Sequence, residues 1–290
     1  MAKAKPSSVN GIDYREWIGG EITEEDTVSL APVRRLLATL DDRETHLATG
    51  DPLPPLWHWL FFLPDALQAD LGADGHPPRG GFLPPIGLAR RMWAGGSLRF
   101  HQPVPIGATL RRLSRVSDIS EKEGRSGPLI FATIAYQFFD GADLCIEERQ
   151  DIVYRDLGPP LAATKPLSSL PTPPAGSWTK EIAPDPRLLF RYSALTFNAH
   201  RIHYDRLYTK ETEGYPGLIV HGPLVATLLL DLIRRNSTGR VAQFDYRAKA
   251  PLFDTHPFRV TATPDENQGL TLAALRCDGE IAMSGTALLD

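Results

Sequence analysis

The chain has 290 residues, a formal net charge of -4, 42% hydrophobic and 23% charged residues. That length suits one large domain or two modules of about 130 to 150 residues, each with its own core, and the composition argues against disorder or a fibre. A slightly negative chain with no basic run beyond an Arg pair gives no field for a nucleic-acid backbone, so no nucleic-acid partner is expected.

Cys145 and Cys277 are the only cysteines, too few for a disulfide framework, and neither has a metal-ligand spacing. The N-terminal MAKAKPSSVNGIDYREW has no apolar region behind its charges, and no stretch reaches the roughly 20 apolar residues of a bilayer span. A reduced, cytoplasmic setting with no membrane partner is the expectation.

In chain order, 30–48 and 55–70 read as helical, the second broken or kinked at Pro64. Strands are predicted over 97–103, 108–120, 128–140 and 143–155, the last two joined as a hairpin at Asp140-Gly141. Eight prolines between Leu157 and Arg187 mark 157–187 as a linker between an N-terminal module, 1–156, and a C-terminal module, 188–290. In the second module, 188–197 reads as a strand, a helical turn follows near His200, and a helix runs from His221 to Arg235. Its LVATLLLDLI is apolar on nearly every face, which requires burial all round, as when a sheet wraps a helix. Strands near 240–250, 256–263, 269–277 and 280–289 complete the unit. The expected class is α+β, a double hot-dog of two antiparallel sheets, each wrapped around a long central helix. A weak echo between 97–117 and 242–262 supports a duplication.

Chemistry concentrates in YSALTFNAHRIHYD, 192–205, and EGYPGLIVHGPL, 213–224. Asn198 is expected to end a strand, and His200 and His203 to share one face of a helical turn. Pro223 suits a first helical turn, so the N–H groups around Gly222 and the positive end of the helix dipole would meet any anion placed there. A base beside such donors is equipment for adding water to a polarised double bond: His203 fits the base, Gly222 N–H the donor for a thioenolate oxygen.

The segment 196–203 resembles the hydratase-2 motif of MaoC-like hot-dog hydratases. More closely, EGRSGPLIFATIAYQF, CIEERQDIVYRD, FRYSALTFNAHRIHYD and EGYPGLIVHGPL resemble the double-hot-dog branch containing mesaconyl-C4-CoA and itaconyl-CoA hydratases, alongside mitochondrial-type 3-hydroxyacyl-thioester dehydratases. The similarity spans roughly residues 10 to 290. It implies reversible hydration of a branched dicarboxylyl-CoA to citramalyl-CoA, with acyl-CoA as substrate, no cofactor beyond that CoA, and dehydration of 3-hydroxyacyl thioesters as the rival. A non-catalytic thioester-binding module is a further alternative.

One departure stands out. Where the family has a catalytic Asp this chain has Asn198, and where it has Asn this chain has His200. An amide orients water but cannot take its proton, so His203 must act alone or through another group, Asp205 being the nearest in sequence. The candidate set is therefore His203, Asn198 and His200 for catalysis and Gly222 for the oxyanion. Arg201, Arg90, Arg91 and His221 are the substrate-binding candidates, the arginines for the second carboxylate or the CoA phosphates. No metal is expected, since HxxH without a patterned carboxylate is a weak signal. WHWLFF, 57–62, fits core packing or an acyl tunnel. Exposed sheet edges make a homodimer the expected assembly.

Overall fold

A computed structural model describes residues 8–9, 12–124, 127–265 and 269–290; the charged extreme N-terminus and Arg125-Ser126 of the quoted motif lie outside the described residues. A small ladder of β1 (Ser8–Val9) and β2 (Ile12–Asp13) precedes the main elements. The first half contributes β3 (Glu21–Thr27), α1 (Leu30–Thr39), β4 (Arg90–Phe100), β5 (Thr109–Gly124), β6 (Gly127–Asp140) and β7 (Asp143–Arg155). The second contributes β8 (Trp178–Ile182), α2 (Pro186–Leu195), α3 (Arg206–Glu211), α4 (Gly222–Asn236), β9 (Val241–Ala248), β10 (Phe258–Pro264), β11 (Gly269–Leu275) and β12 (Ile281–Leu289).

The strands run in the order β3-β5-β6-β7-β4-β9-β12-β11-β10-β8, all antiparallel. Each half repeats the other strand for strand, with β3 matching β8 and β4 matching β9, so the echo at 97–117 and 242–262 falls on equivalent strands. This is the α+β double hot-dog. The expected pair of separate sheets is in fact one: β4 and β9 join, Gly95 opposite Arg247 through Arg99 opposite Gln243. Glycine is required at that seam. A Cβ on Gly95 would lie 2.7 Å from the Tyr246 carbonyl oxygen, and one on Gly96 2.3 Å from that of Arg149.

Among the described residues, only the second half has the long central helix. Every α4 residue from Leu224 to Ile233 is buried, as its all-round apolar sequence requires, and the helix packs on β8, β10 and β11. At its C-terminal end, Asp231 is buried against Arg234 at 2.6 Å and Arg235 at 2.7 Å, and Arg234 also reaches Asp42 of the first half. In the first half α1 stops at Thr39, where Asp41 takes a positive φ of 54°, nine residues short of the expected end. The expected helix over 55–70 does not form. Leu56 and Phe62 adopt positive φ, and only 3₁₀ turns at Trp57–Leu60 and Gln68–Asp70 remain, because Pro54, Pro55 and Pro64 remove donors and clash with helical turns.

Where 188–197 was expected to be a strand, α2 is helical through Leu195. Asp185 caps it by accepting from Leu188 N at 3.0 Å, Pro186 sits in the first turn, and Leu189, Tyr192 and Ser193 are buried at spacings of three and four. The edge strands β3 and β8 were not expected; β8 lies inside the proline-rich stretch and pairs with β10. The rest of that stretch before α2 is irregular and tied to the second half, Leu161 N donating to Gly214 O and Leu167 N to Cys277 O. One core cluster runs through both halves, with a smaller one around Tyr14, Ile86 and Tyr154. No described helix is long and apolar enough to cross a membrane, and both cysteines are free.

Candidate active site

A cavity of about 930 Å³ opens between the first half's sheet and α2. Its sheet wall alternates along β5 to β7, where Arg112, Tyr136, Phe138, Glu148, Gln150 and Tyr154 face inward. The 57–62 segment divides: Trp57 and Leu60 enter the core, His58 and Trp59 line the cavity, and Phe61 and Phe62 do both. Its polar edges are held by the buried Glu148 carboxylate, which accepts from His58 Nε2 and Trp59 Nε1, both at 2.9 Å.

The opposite wall carries the motif. After α2 the chain turns at Phe197, a non-glycine residue at φ 47°, so Asn198 follows a helix and not a strand. The Asn198 side chain accepts from His200 N at 2.9 Å, which shapes the turn and leaves its amide facing the cavity. Residues Arg201–His203 form a 3₁₀ turn with His200 at its start. His203 is buried; its Nδ1 donates to the Ile219 carbonyl at 2.8 Å, which leaves Nε2 as the basic nitrogen. Its ring stacks on that of His221 with centroids 3.6 Å apart and meets His200 edge-on at 5.5 Å.

His221 is the N-cap residue of α4, and among the described residues no side chain caps the helix start. His221 Nε2 meets Ser193 Oγ at 2.8 Å, while its Nδ1 is buried without a partner. Gly222 follows against Trp93, whose ring a Cβ at that position would meet at 2.6 Å. The His203 ring, the partnerless His221 nitrogen and the uncapped helix start thus occupy one neighbourhood. Of these, His221 and Pro223 line the cavity wall, with His203 packed behind His221.

Burial sets the protonation of this cluster. Loss of solvent drives His203 down to about 4 and, with the charges of His76 and His203 adding, His200 to about 2; His221 falls well below the ordinary range for the same reason.

The arginines divide. Arg90 is buried, paired with Glu213 and lying over the Tyr215 ring, and Arg201 is paired with Asp205 and lies over Tyr208; neither lines the cavity. The expected proton partner Asp205 is thereby spent on Arg201 and on capping α3 at Tyr208 N. Arg91 does line the cavity, beside Tyr154, with no carboxylate partner among the described residues. The alternation of β4 decides this, since neighbouring residues face opposite sides.

Sequence reasoning missed the segment 72–79. Asp74 accepts from His76 N and Nδ1, both at 3.0 Å, and the His76 ring lies 3.9 Å from that of His200. The available signal was a histidine within the Gly- and Pro-rich LGADGHPPRGG, where loops carry function on a rigid frame. Asp74, His76 and His200 bring one potential ligand atom each within 4.8 Å of one another, and the Asp74 carboxylate accepts from His76 Nδ1, which leaves His76 Nε2 open. The trio holds a carboxylate–imidazole pair with a second imidazole against it.

The sequence model of the hydroxyacyl-thioester dehydratase type 2 family matches residues 56–254. The chain is 50% identical to mesaconyl-C(4)-CoA hydratase of Chloroflexus aurantiacus over 97% of its own length and 99% of the relative's. It is 30% identical to the mitochondrial hydroxyacyl-thioester dehydratase type 2 of Schizosaccharomyces pombe, over 86% and 92%. Among solved structures, a Mycobacterium tuberculosis protein with a double hotdog fold superposes with a TM-score of 0.57 at 16% identity, covering 94% of this chain and 96% of that one.

Proposed function

Because the chain belongs to the hydroxyacyl-thioester dehydratase type 2 family, we propose that it reversibly hydrates a branched α,β-unsaturated dicarboxylyl-CoA, of which mesaconyl-C4-CoA is the first candidate, to citramalyl-CoA. The observation that carries this reading is the meeting of the His203 ring with the N-cap residue of an uncapped, buried helix beside a cavity large enough for an acyl group. It is a hydro-lyase, and the elements of water supply every atom added, so the chemistry calls for no cofactor.

In this reading the thioester carbonyl sits at the start of α4. Gly222 N–H and the helix dipole stabilise the oxygen as the double-bond electrons move onto it. His221 lies beside that oxygen, where its partnerless Nδ1 gains a hydrogen bond. The base assigned in this reading is His203, one ring behind the cavity-lining His221; His203 Nε2 takes the proton of the water whose oxygen bonds the β-carbon, and Asn198 with His200 shapes the turn that holds it. Arg91 receives the acyl group's second carboxylate, since Arg90 and Arg201 are already paired. Residues 1–156 shape the acyl site and 188–290 carry the motif. A cytosolic setting fits the two free thiols. A homodimer would form through the free edges β3 or β8, which sedimentation of the purified protein checks.

The test is loss of enoyl absorbance on mixing the protein with mesaconyl-C4-CoA, against a series of unbranched enoyl-CoA thioesters. Preference for the uncharged chains would move the assignment to the second reading, dehydration of 3-hydroxyacyl thioesters, which the family match and the fission-yeast relative favour. Turnover of neither group would leave a thioester-binding module. His203→Ala is expected to lower turnover about 100-fold or more with the fold intact.

A further inference from the structure

We propose that His76, held by Asp74, is the second proton-transfer group of this reaction, supplied by the first half in place of the carboxylate that Asn198 lacks. This rests on the hydratase reading.

The motif's own carboxamide cannot serve, because it neither takes nor gives a proton at neutral pH and its oxygen is bonded to His200 N. Asp205 is spent on Arg201 and a helix cap. His76 lines the same cavity as Asn198 and lies against His200, the neighbour of His203. With Nδ1 donating to Asp74, Nε2 is the nitrogen left for substrate, and the carboxylate stabilises the imidazolium, as in the carboxylate–imidazole pairs of hydrolases.

The loop is built onto the motif. Gly75 has a φ of 87°, and a Cβ there would fall 1.9 Å from the Ala199 carbonyl oxygen, so only glycine permits the approach. Arg201 N donates to Asp74 O at 2.9 Å and Arg201 Nη1 to Ala73 O at 3.0 Å. Arg201, expected to bind substrate, is thereby the clamp that docks this loop on the catalytic turn. Within the loop Gly72 N and His76 O close a turn at 2.8 Å. A loop so pinned positions a side chain; it does not wander.

Two groups balance the hydration. His203 Nε2 takes one proton from water as the oxygen's electron pair forms the bond to the β-carbon. The double-bond pair moves to the α-carbon and the thioester oxygen, and protonated His76 then gives its Nε2 proton to the α-carbon. One imidazole gains the proton that the other loses, and exchange with solvent resets them. Around His76 lie the His200 ring, Asp74, which favours its charged form, and Arg91, Arg79 and burial, which oppose it; burial is the largest effect and the net direction is downward.

Three variants test this on the full chain with mesaconyl-C4-CoA. His76→Gln is expected to lower kcat about 100-fold with KM changed no more than about threefold. Asn198→Asp in the His76→Gln background is expected to restore about tenfold of that loss, because it returns a carboxylate to the motif. Asp74→Asn leaves His76 in place and is expected to move the alkaline limb of the kcat profile to lower pH, a shift that a merely structural role does not produce. Should His76→Gln fail to fold, the Asp74→Asn profile decides alone. Retention of more than half the wild-type kcat by a folded His76→Gln, an unmoved limb in Asp74→Asn, or loss of wild-type activity to a chelator with recovery on adding zinc would each overturn it. If His203→Ala abolishes turnover while His76→Gln does not, the hydratase reading stands without this second group. A wild type inactive on every enoyl thioester fails that reading itself.

Discussion

The two halves of the sheet share one strand order but not what lies against it. In the second, α4 fills the space over β8, β10 and β11 with ten consecutive buried residues. In the first, α1 is short, the 57–62 segment refuses to coil, and the face of β5, β6 and β7 opens onto a cavity. The repeated strand order thus carries two arrangements, one half burying a long helix and the other enclosing a cavity. Candidate site residues from both meet at the junction of the halves, where Trp93 covers Gly222 and Gly75 touches Ala199.

The largest way to break this contrast is to empty the filled half. Leu229, fully buried in α4, has no slack around it, so Leu229→Ala should cost about 3 kcal/mol or more, measured by urea unfolding. A cost under about 1 kcal/mol would show that α4 is not the stabilising element.

Acid probes the buried histidine cluster at the junction. His203 titrates near 4 and His200 near 2 in the folded chain because burial opposes their charge, whereas the unfolded chain binds these protons near the ordinary value of about 6.5. Their contribution to stability is therefore complete above about pH 6.5, declines as pH falls through the window from there toward about 4, and continues to decline below it for His200. A wild-type unfolding midpoint that is flat from pH 7 to pH 4, or one whose fall is unaltered in His200→Gln, would contradict these depressed values.

Arg91→Ala should raise KM for a dicarboxylyl thioester about tenfold while leaving that for an unbranched monocarboxylic chain within about twofold. Equal effects on both would place Arg91 on the CoA moiety instead. The smallest effect belongs to the open half. Tyr136→Phe removes a hydroxyl from the cavity wall and deletes no packed volume, so stability should move by less than about 1 kcal/mol. A cost rivalling that of Leu229→Ala would erase the distinction between filled and open halves.

Much of this was legible in the chain. The strands with internal alternation were located within a few residues, apart from β4, which starts seven residues before its expected 97, and the hairpin at Asp140-Gly141 and helix α4 follow local rules. The misses share causes. The acidic β3 and the short β8 are edge strands with one pairing neighbour each, so neither needs an apolar run; Glu24 of β3 instead pairs with Arg112. In 188–197, short apolar runs fit a strand as well as a helix, and the Asp185-Pro186 start signal is what separates them. Over 55–70 the aromatic run outweighed the prolines in the reading, and the backbone obeyed the prolines.

By itself, the sequence determined what depends on neighbours along the chain: the all-apolar helix, its Pro-marked start, the alternating strands, and the histidine and asparagine spacing of the motif. Tertiary structure alone decided which charged groups are spent and which are free. Arg90 and Arg91 are adjacent, yet one is buried on Glu213 and the other faces the cavity, and Asp74 and His76 reach His200 across more than a hundred residues. Pairing and desolvation depend on distances in space, and a composition or a spacing does not contain them.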